Sequence, residues 1–191
     1  MNVKQFANEL SAHRAQIEQL MRRRLPVIVG RMAKDHYQQN FRKGGFQNRG
    51  LQRWKQTRRQ TSGMTSAAGQ YGPLLSGRNH LFSSLKYVPS DFRVLVANDL
   101  PYAAIHNWGG MVNPTVTPRM RRFFWAMYYQ QGGGKEKKGS PSAQFWKNMA
   151  LTKKKRLRIN IPQRQFIGDS HELNQRINER IENEIHKIIN Q

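Results

Sequence analysis

Leu173, Ile177, Ile181, Ile185, Ile188 and Ile189 recur mostly at intervals of three or four near the carboxyl end of the chain. Only a helix turns that spacing into one apolar face. The stripe predicts a closing helix that buries one side, either in the core or against another subunit, with coiled pairing as a further use. A looser series, Phe6, Leu10, Ile17, Leu20 and Met21, continues past Pro26 into Met32, Ala33 and Tyr37. It predicts one long, interrupted amino-terminal helix, in which Pro26 either starts a second helix or kinks the first. Between these ends the apolar period shortens to two. Residues 86–88, a Pro89-Ser90-Asp91 turn and residues 92–97 read as a hairpin with Phe92, Val94 and Val96 on one face, and residues 111–117 and 157–161 would add strands. The expected class is α+β: a small, mainly antiparallel β-sheet flanked by long N- and C-terminal helices, with extended basic loops.

At 191 residues the chain fits one domain with extensions. Its pattern divides into a helical region (1–43), a basic mobile loop (44–72), a core helix, hairpin and motif helix (73–118), a basic and aromatic insert (119–160), and a motif turn with the closing helix (161–191). No cysteine is present, so neither disulfides nor thiolate metal sites contribute, and stability must come from the core or from assembly. The apolar run after Arg22, Arg23 and Arg24 is far shorter than a membrane span, and no signal peptide is expected. The protein is therefore expected in the cytoplasm, with no membrane partner.

Thirty-three Lys and Arg stand against eleven Asp and Glu, a formal net charge of +22. A chain of this size with that charge calls for an anionic partner, nucleic acid first. No acid occurs between Asp35 and Asp91, a gap that includes a Gly-, Gln- and Ser-rich stretch with few core-forming residues. From Arg119 to Arg164 thirteen basic residues face Glu136 alone, and after Phe166 the sign reverses toward Asp169, Glu172, Glu179, Glu182 and Glu184. Arg53, Arg58 and Arg59 in the first block, and Lys153, Lys154, Lys155 and Arg156 in the second, are the candidate contacts to DNA or to an acidic partner. The run 153–156 reads either as a solvated hairpin turn or as a phosphate contact. Phe123, Phe124, Trp125, Tyr128, Tyr129, Phe145 and Trp146 lie among these cations. They can stack on bases, or they can form two short helices, broken at the 132–134 glycines, that fold as an apolar flap.

No catalytic constellation is legible. The histidines lack zinc-ligand spacing, and there is no phosphate-binding glycine loop, no nucleophile elbow and no strand-end carboxylate pair. A nuclease would need clustered acids for its metal ions, whereas the acids here concentrate near the carboxyl end. We expect no enzyme, no metal and no cofactor.

Two short segments remain. Tyr102-Ala-Ala-Ile-His-Asn-Trp-Gly-Gly110 puts Tyr102 and His106 four apart and Ile105 and Trp108 three apart, as on one helical face. Asp99 can cap such a helix, Pro101 is tolerated in its first turn, and Gly109 and Gly110 can end it at positive φ. Ile161-Pro-Gln-Arg-Gln-Phe-Ile-Gly-Asp169 reads as a strand end and a turn at Gly168 that pins a core phenylalanine, with Asp169 or Ser170 capping the next helix. In their order, after Leu75-Ser-Gly77 and Val94-Leu-Val-Ala-Asn98, these segments resemble the paired signature of the phage virion morphogenesis (tail completion) family. The resemblance runs from about Trp54 to the end. It departs at Gln165, where that family commonly has proline, and in residues 119–160. Tyr102, His106, Trp108, Gly109, Gly110, Pro162, Arg164, Phe166 and Gly168 carry the motif. The resemblance implies a non-enzymatic structural protein at the head-to-tail junction or tail end of a virion, made in the host cytoplasm. It further implies a homo-oligomeric ring, a hexamer or dodecamer, that meets other neck, connector and tail proteins and packaged double-stranded DNA. The competing reading is a stand-alone, non-specific nucleic-acid-binding protein. Tyr102, His106 and Trp108 are expected to anchor the short helix to the sheet, with His106 packed and hydrogen-bonded rather than acting as a general base.

Overall fold

The computed structural model describes residues 2–61, 67–134 and 140–190, with backbone only at 58 and 68. Where one domain was expected, the chain forms two compact units: a main unit of Met1–Gly109 with Pro162–Gln191, and an inserted unit of Gly110–Ile161. The α+β class holds, but among the described residues the β-strands form three separate two-stranded antiparallel ribbons rather than one sheet.

The main unit opens with α1 (Val3–Gln19), started by a capping box in which the Asn2 side chain accepts from Lys4 N–H and Gln5 accepts from Asn2 N–H. A π-helical turn, Leu20–Arg24, leads into α2 (Leu25–Lys43). Pro26 accounts for this interruption. It has no N–H to give the Arg22 carbonyl, and Phe92 N–H donates to that carbonyl instead, at 3.2 Å, while Leu25 N–H reaches back to Leu20. Arg22 and Arg23 both pair with Asp91 at the same place, at 2.7 and 3.0 Å.

α2 ends at Gly44, φ 66°. The ribbon β1 (Gly45–Gln47) with β2 (Leu51–Arg53) follows, then the short helices α3 (Arg58–Thr61), α4 (Ala67–Gln70) and α5 (His80–Ser83). The expected loop at 44–72 is thus partly a hairpin. Its Phe46 and Trp54 are buried in the main core, and composition hid two aromatics that supply most of the segment's burial. Residues 62–66 of that segment lie outside the described residues.

β3 (Leu85–Ser90) pairs with β4 (Arg93–Asn98) around a two-residue turn. Phe92 was expected on the apolar face of the second strand. It sits instead in the turn at φ 60°, exposed, because the Ser90↔Arg93 pairing moves the turn to Asp91 and Phe92. Gly30 of α2 lets the ribbon approach: a Cβ there would lie 2.4 Å from the Tyr87 ring and 2.8 Å from Val94. After α6 (Ala103–Trp108) the chain enters the inserted unit and returns at Pro162.

The last helix of the main unit runs over His171–Ile189, with Ser170 Oγ accepting from Leu173 N–H at 3.3 Å. Its stripe is used inside the chain. Leu173 and Ile177 join Ala33, Tyr37, Phe41 and Phe166 in the main core, while Ile181, Ile185 and Ile188 pack with Ile17, Leu20 and Leu25.

In the inserted unit, β5 (Gly110–Val112) leads to α7 (Pro118–Gln130) and α8 (Pro141–Ala150), and β6 (Ile159–Ile161) pairs with β5. Thr117 and Ser140 cap the two helices, each followed by proline at the first position. The closing helix, in chain order, is α9. The sequence left the insert's aromatics either free to stack on bases or folded as an apolar flap of two short helices. The two helices are present and build a core within the unit: Phe124, Ala150 and Leu157 are buried, with Val116, Met120, Trp125, Trp146, Met149 and Ile159 packed on them. Trp146 stacks on Phe124 at 5.9 Å and takes the edges of Phe123 and Phe145.

Candidate functional site

The paired motif segments meet inside the main unit. Residues 164–168 belong to no strand, yet Arg164, Phe166 and Ser170 are buried, so their backbone groups need partners other than a sheet. Side chains supply them. Asn107 of α6, 5% exposed, accepts from both Phe166 N–H and Ile167 N–H through Oδ1, each at 2.9 Å. The His106 carbonyl accepts from Arg164 N–H at 2.8 Å.

Three further donors close the clasp. Asn40 Nδ2 donates to the Phe166 carbonyl at 3.2 Å, Trp54 Nε1 to Gln165 at 2.8 Å, and the Tyr37 hydroxyl to Gly168 at 2.8 Å. Asn40 Oδ1 in turn accepts from Gln47 N–H at 3.2 Å. Phe166, held on both backbone faces, packs against Phe41 at 5.1 Å between ring centres. Four of these clasping residues, Tyr37, Asn40, Trp54 and Asn107, are absent from the sequence-derived set. Asn40 and Asn107 left a faint signal: asparagine is a poor helix former, and both stand inside helices.

Arg164 is buried, and it pairs with no carboxylate among the described residues. Its Nε donates to the Lys55 carbonyl at 2.9 Å and an Nη to Gln56 at 3.4 Å. Burial, and then the charge of Arg59, lower its pKa from the usual arginine value, but a guanidinium stays protonated. Burial, then Arg164, also lowers the pKa of His106, whose buried Nδ1 has no hydrogen-bond partner among the described residues. The expected packing is seen in the edge-on contact with Tyr102, and of the two ring nitrogens Nδ1 lacks a hydrogen bond among the described residues. Among the described residues no three His, Asp or Glu gather in a way that could hold a metal ion, and no helix is long and apolar enough to cross a membrane.

The other motif residues divide. Gly109 and Gly110 take φ of 71° and 138° and end α6. Gly168 is not at positive φ. Tyr102 lies edge-on to His106 and is partly exposed, and Pro162 is half-buried. Trp108, expected as an anchor, is 66% exposed; α6 is held by Asn107 and the His106 carbonyl instead. Asp99 pairs with Lys86 rather than capping α6.

The candidate basic contacts divide as well. Arg53 is exposed on β2. Arg58 begins α3, and its side chain lies outside the described residues. Arg59 is structural, donating to the carbonyls of Gly72 and Leu75 at 2.6 and 2.5 Å. Lys153, Lys154, Lys155 and Arg156 are all exposed. They precede β6, where the Lys155 carbonyl accepts from Val116 N–H at 2.8 Å and Arg156 bridges Thr115. Lys135, Lys137 and Lys138 lie outside the described residues.

Against models of known families, residues 1–186 match the one described as the phage virion morphogenesis family. The match takes in the amino-terminal helices, which the resemblance at sequence level left out. No curated protein and no solved structure matches.

Proposed function

This chain belongs to the phage virion morphogenesis family, and on that premise we propose that it is a structural subunit completing the head-to-tail joint or the tail end, assembled with its own copies into a ring. A role in building the phage particle follows from the family; the station and the ring are our reading. The observation that carries it is α1. This helix of 17 residues buries none of them, and Val3, Phe6 and Leu10 along one side are 82%, 57% and 60% exposed. An isolated helix of that length is marginal in water, and an apolar face left open in a single copy is what subunit contact would cover. The mechanism is then steric and electrostatic, with no bond made or broken and no cofactor. Excess positive charge faces the DNA path or an acidic neighbour.

Cryo-electron microscopy of the virion tests the station, paired with a conditional null. We expect density for a ring of this chain at the joint or tail end, and a null that accumulates filled heads and separate tails while replication proceeds. Joined, normal particles lacking the protein would overturn the reading. A replication or transcription defect in that null would favour the stand-alone nucleic-acid-binding role, to which the +22 charge also points.

A further inference from the structure

We propose that the inserted unit, Gly110–Ile161, is a duplex-DNA-binding module that grips the phosphate backbone, and that the main unit is not. The inference rests on the proposed virion role for its setting, but the binding itself is a property of the isolated chain. Charge is partitioned unevenly along the chain. The inserted unit holds twelve Lys and Arg against Glu136 alone, a net +11. The rest of the chain holds twenty-one against ten acids, also +11, spread over more than twice the length.

The use of the charges differs more than their number. Every ion pair among the described residues lies in the main unit, where Asp91, Asp99 and Glu184 absorb Arg22, Arg23, Lys86, Arg24, Arg180 and Lys187. In the inserted unit Lys153, Lys154, Lys155, Arg156, Arg158, Arg119 and Arg122 are exposed, and none makes an ion pair or a side-chain hydrogen bond among the described residues. Arg121 is the exception, donating to the Ala150 carbonyl at 2.7 Å. Unpaired like charges at this density repel one another, so the fold holds them together at a cost that a bound polyanion would relieve.

A second copy of this chain offers such a charge only the few exposed acids of its closing helix, Glu179 and Glu182 among them, since both of its units are net positive. Duplex DNA presents one negative charge per about 1.7 Å of axis and releases counterions when cations replace them. In an intact duplex the base faces are stacked on one another, so the contact is to the backbone, and the exposed rings Phe123, Tyr129 and Phe145 meet no free base face there. The unit has its own core to hold the cations in place.

The test uses the full chain and a random-sequence duplex of about 25 base pairs, long enough to span several phosphate contacts, with fluorescence anisotropy across a salt series. One variant carries Lys153→Ala, Lys154→Ala, Lys155→Ala and Arg156→Ala. The matched control carries Lys4→Ala, Arg14→Ala, Arg31→Ala and Arg78→Ala, exposed cations of the main unit. Each set replaces surface side chains, and circular dichroism checks that both variants are folded. We expect the first set to weaken binding by ~10–100-fold and to flatten the slope of log K against log salt by about 3–4, with the control near wild type. Equal loss from both sets would overturn the assignment to the inserted unit. Absence of duplex binding by the wild-type chain, or binding only to an acidic polypeptide such as polyglutamate, would overturn DNA as the partner. A strong preference for single strands would overturn the backbone mode. None of these outcomes bears on whether the protein sits in the particle, which the virion map decides separately.

Discussion

In the main unit, irregular backbone is fixed by buried polar side chains, whereas in the inserted unit helices are fixed by aromatic packing. Asn107, Asn40, Trp54 and Tyr37 satisfy the backbone of residues 164–168 one group at a time. Each such bond demands one geometry, so the clasp specifies a single conformation more sharply than apolar contact does. The inserted unit instead buries Phe124, Ala150 and Leu157 beneath apolar side chains, Trp125, Trp146, Met120 and Met149 among them. Apolar contact of that kind is non-directional, and the unit's surface carries the charge. The comparison teaches that positional precision and charge density were placed in different parts of one chain.

The largest test of this division removes one core ring from each unit. Phe166→Ala and Phe124→Ala should each cost about 3–5 kcal/mol, the first read in the main unit and the second in the inserted one. Amide hydrogen exchange resolved by peptide distinguishes them. If either variant lowers protection equally throughout the chain, the two units unfold as one and the comparison fails.

Asn107→Ala comes next. It removes the acceptor for two backbone N–H groups, each about 1–3 kcal/mol when buried and unpaired, and a cost of ~2–4 kcal/mol should appear in chemical denaturation. A change below about 0.5 kcal/mol, the range typical of surface sites, would show that the clasp is not a source of stability.

Acidification sharpens the contrast with a smaller effect. Burial, then Arg176, lowers the pKa of buried His36 in α2, against an opposing pull from Glu172, and His106 is lowered in the same way. Both groups lie in the main unit. As pH falls below the ordinary histidine value of about 6.5, the unfolded chain takes up protons that the folded chain refuses, and stability drops. The loss should continue until pH falls through the depressed folded values. Glu184, drawn down by its hydrogen bond from Lys187 and then by the charges of Lys187, Arg180 and Arg24 against its own burial, contributes stability above the ordinary carboxylate range that is lost at still lower pH. Denaturation midpoints at several pH values between 7.5 and 5.5 should fall for the wild type and fall less steeply for His36→Gln, which leaves His106 in place. A flat wild-type profile would remove both histidines from the account.

The smallest effect is expected at Trp108→Ala. With that side chain 66% exposed, thermal stability should shift by no more than a surface substitution does, within about 0.5 kcal/mol. A loss of several kcal/mol would mean that the ring is covered in the free chain after all.

The sequence alone determined what short-range chemistry controls. The period of the closing stripe, the break at Pro26, the Ser170 cap and the Gly109-Gly110 stop depend on neighbours a few residues away, and each is present. The motif order was also legible, because it is written in linear sequence. Tertiary structure decided everything that depends on distant partners. Phe46 and Trp54 became core residues although their surroundings are polar, since burial is set by what packs against a side chain. Trp108 and Phe92 went to the surface although both are apolar, because the helix end and the hairpin register turned them outward. Asn107 became the centre of the clasp only where residues 166 and 167 returned to it across 59 and 60 positions of sequence. Charge shows the same split: its sum can be counted from the residues, but which cations are absorbed by carboxylates and which stay free is a matter of three-dimensional neighbours.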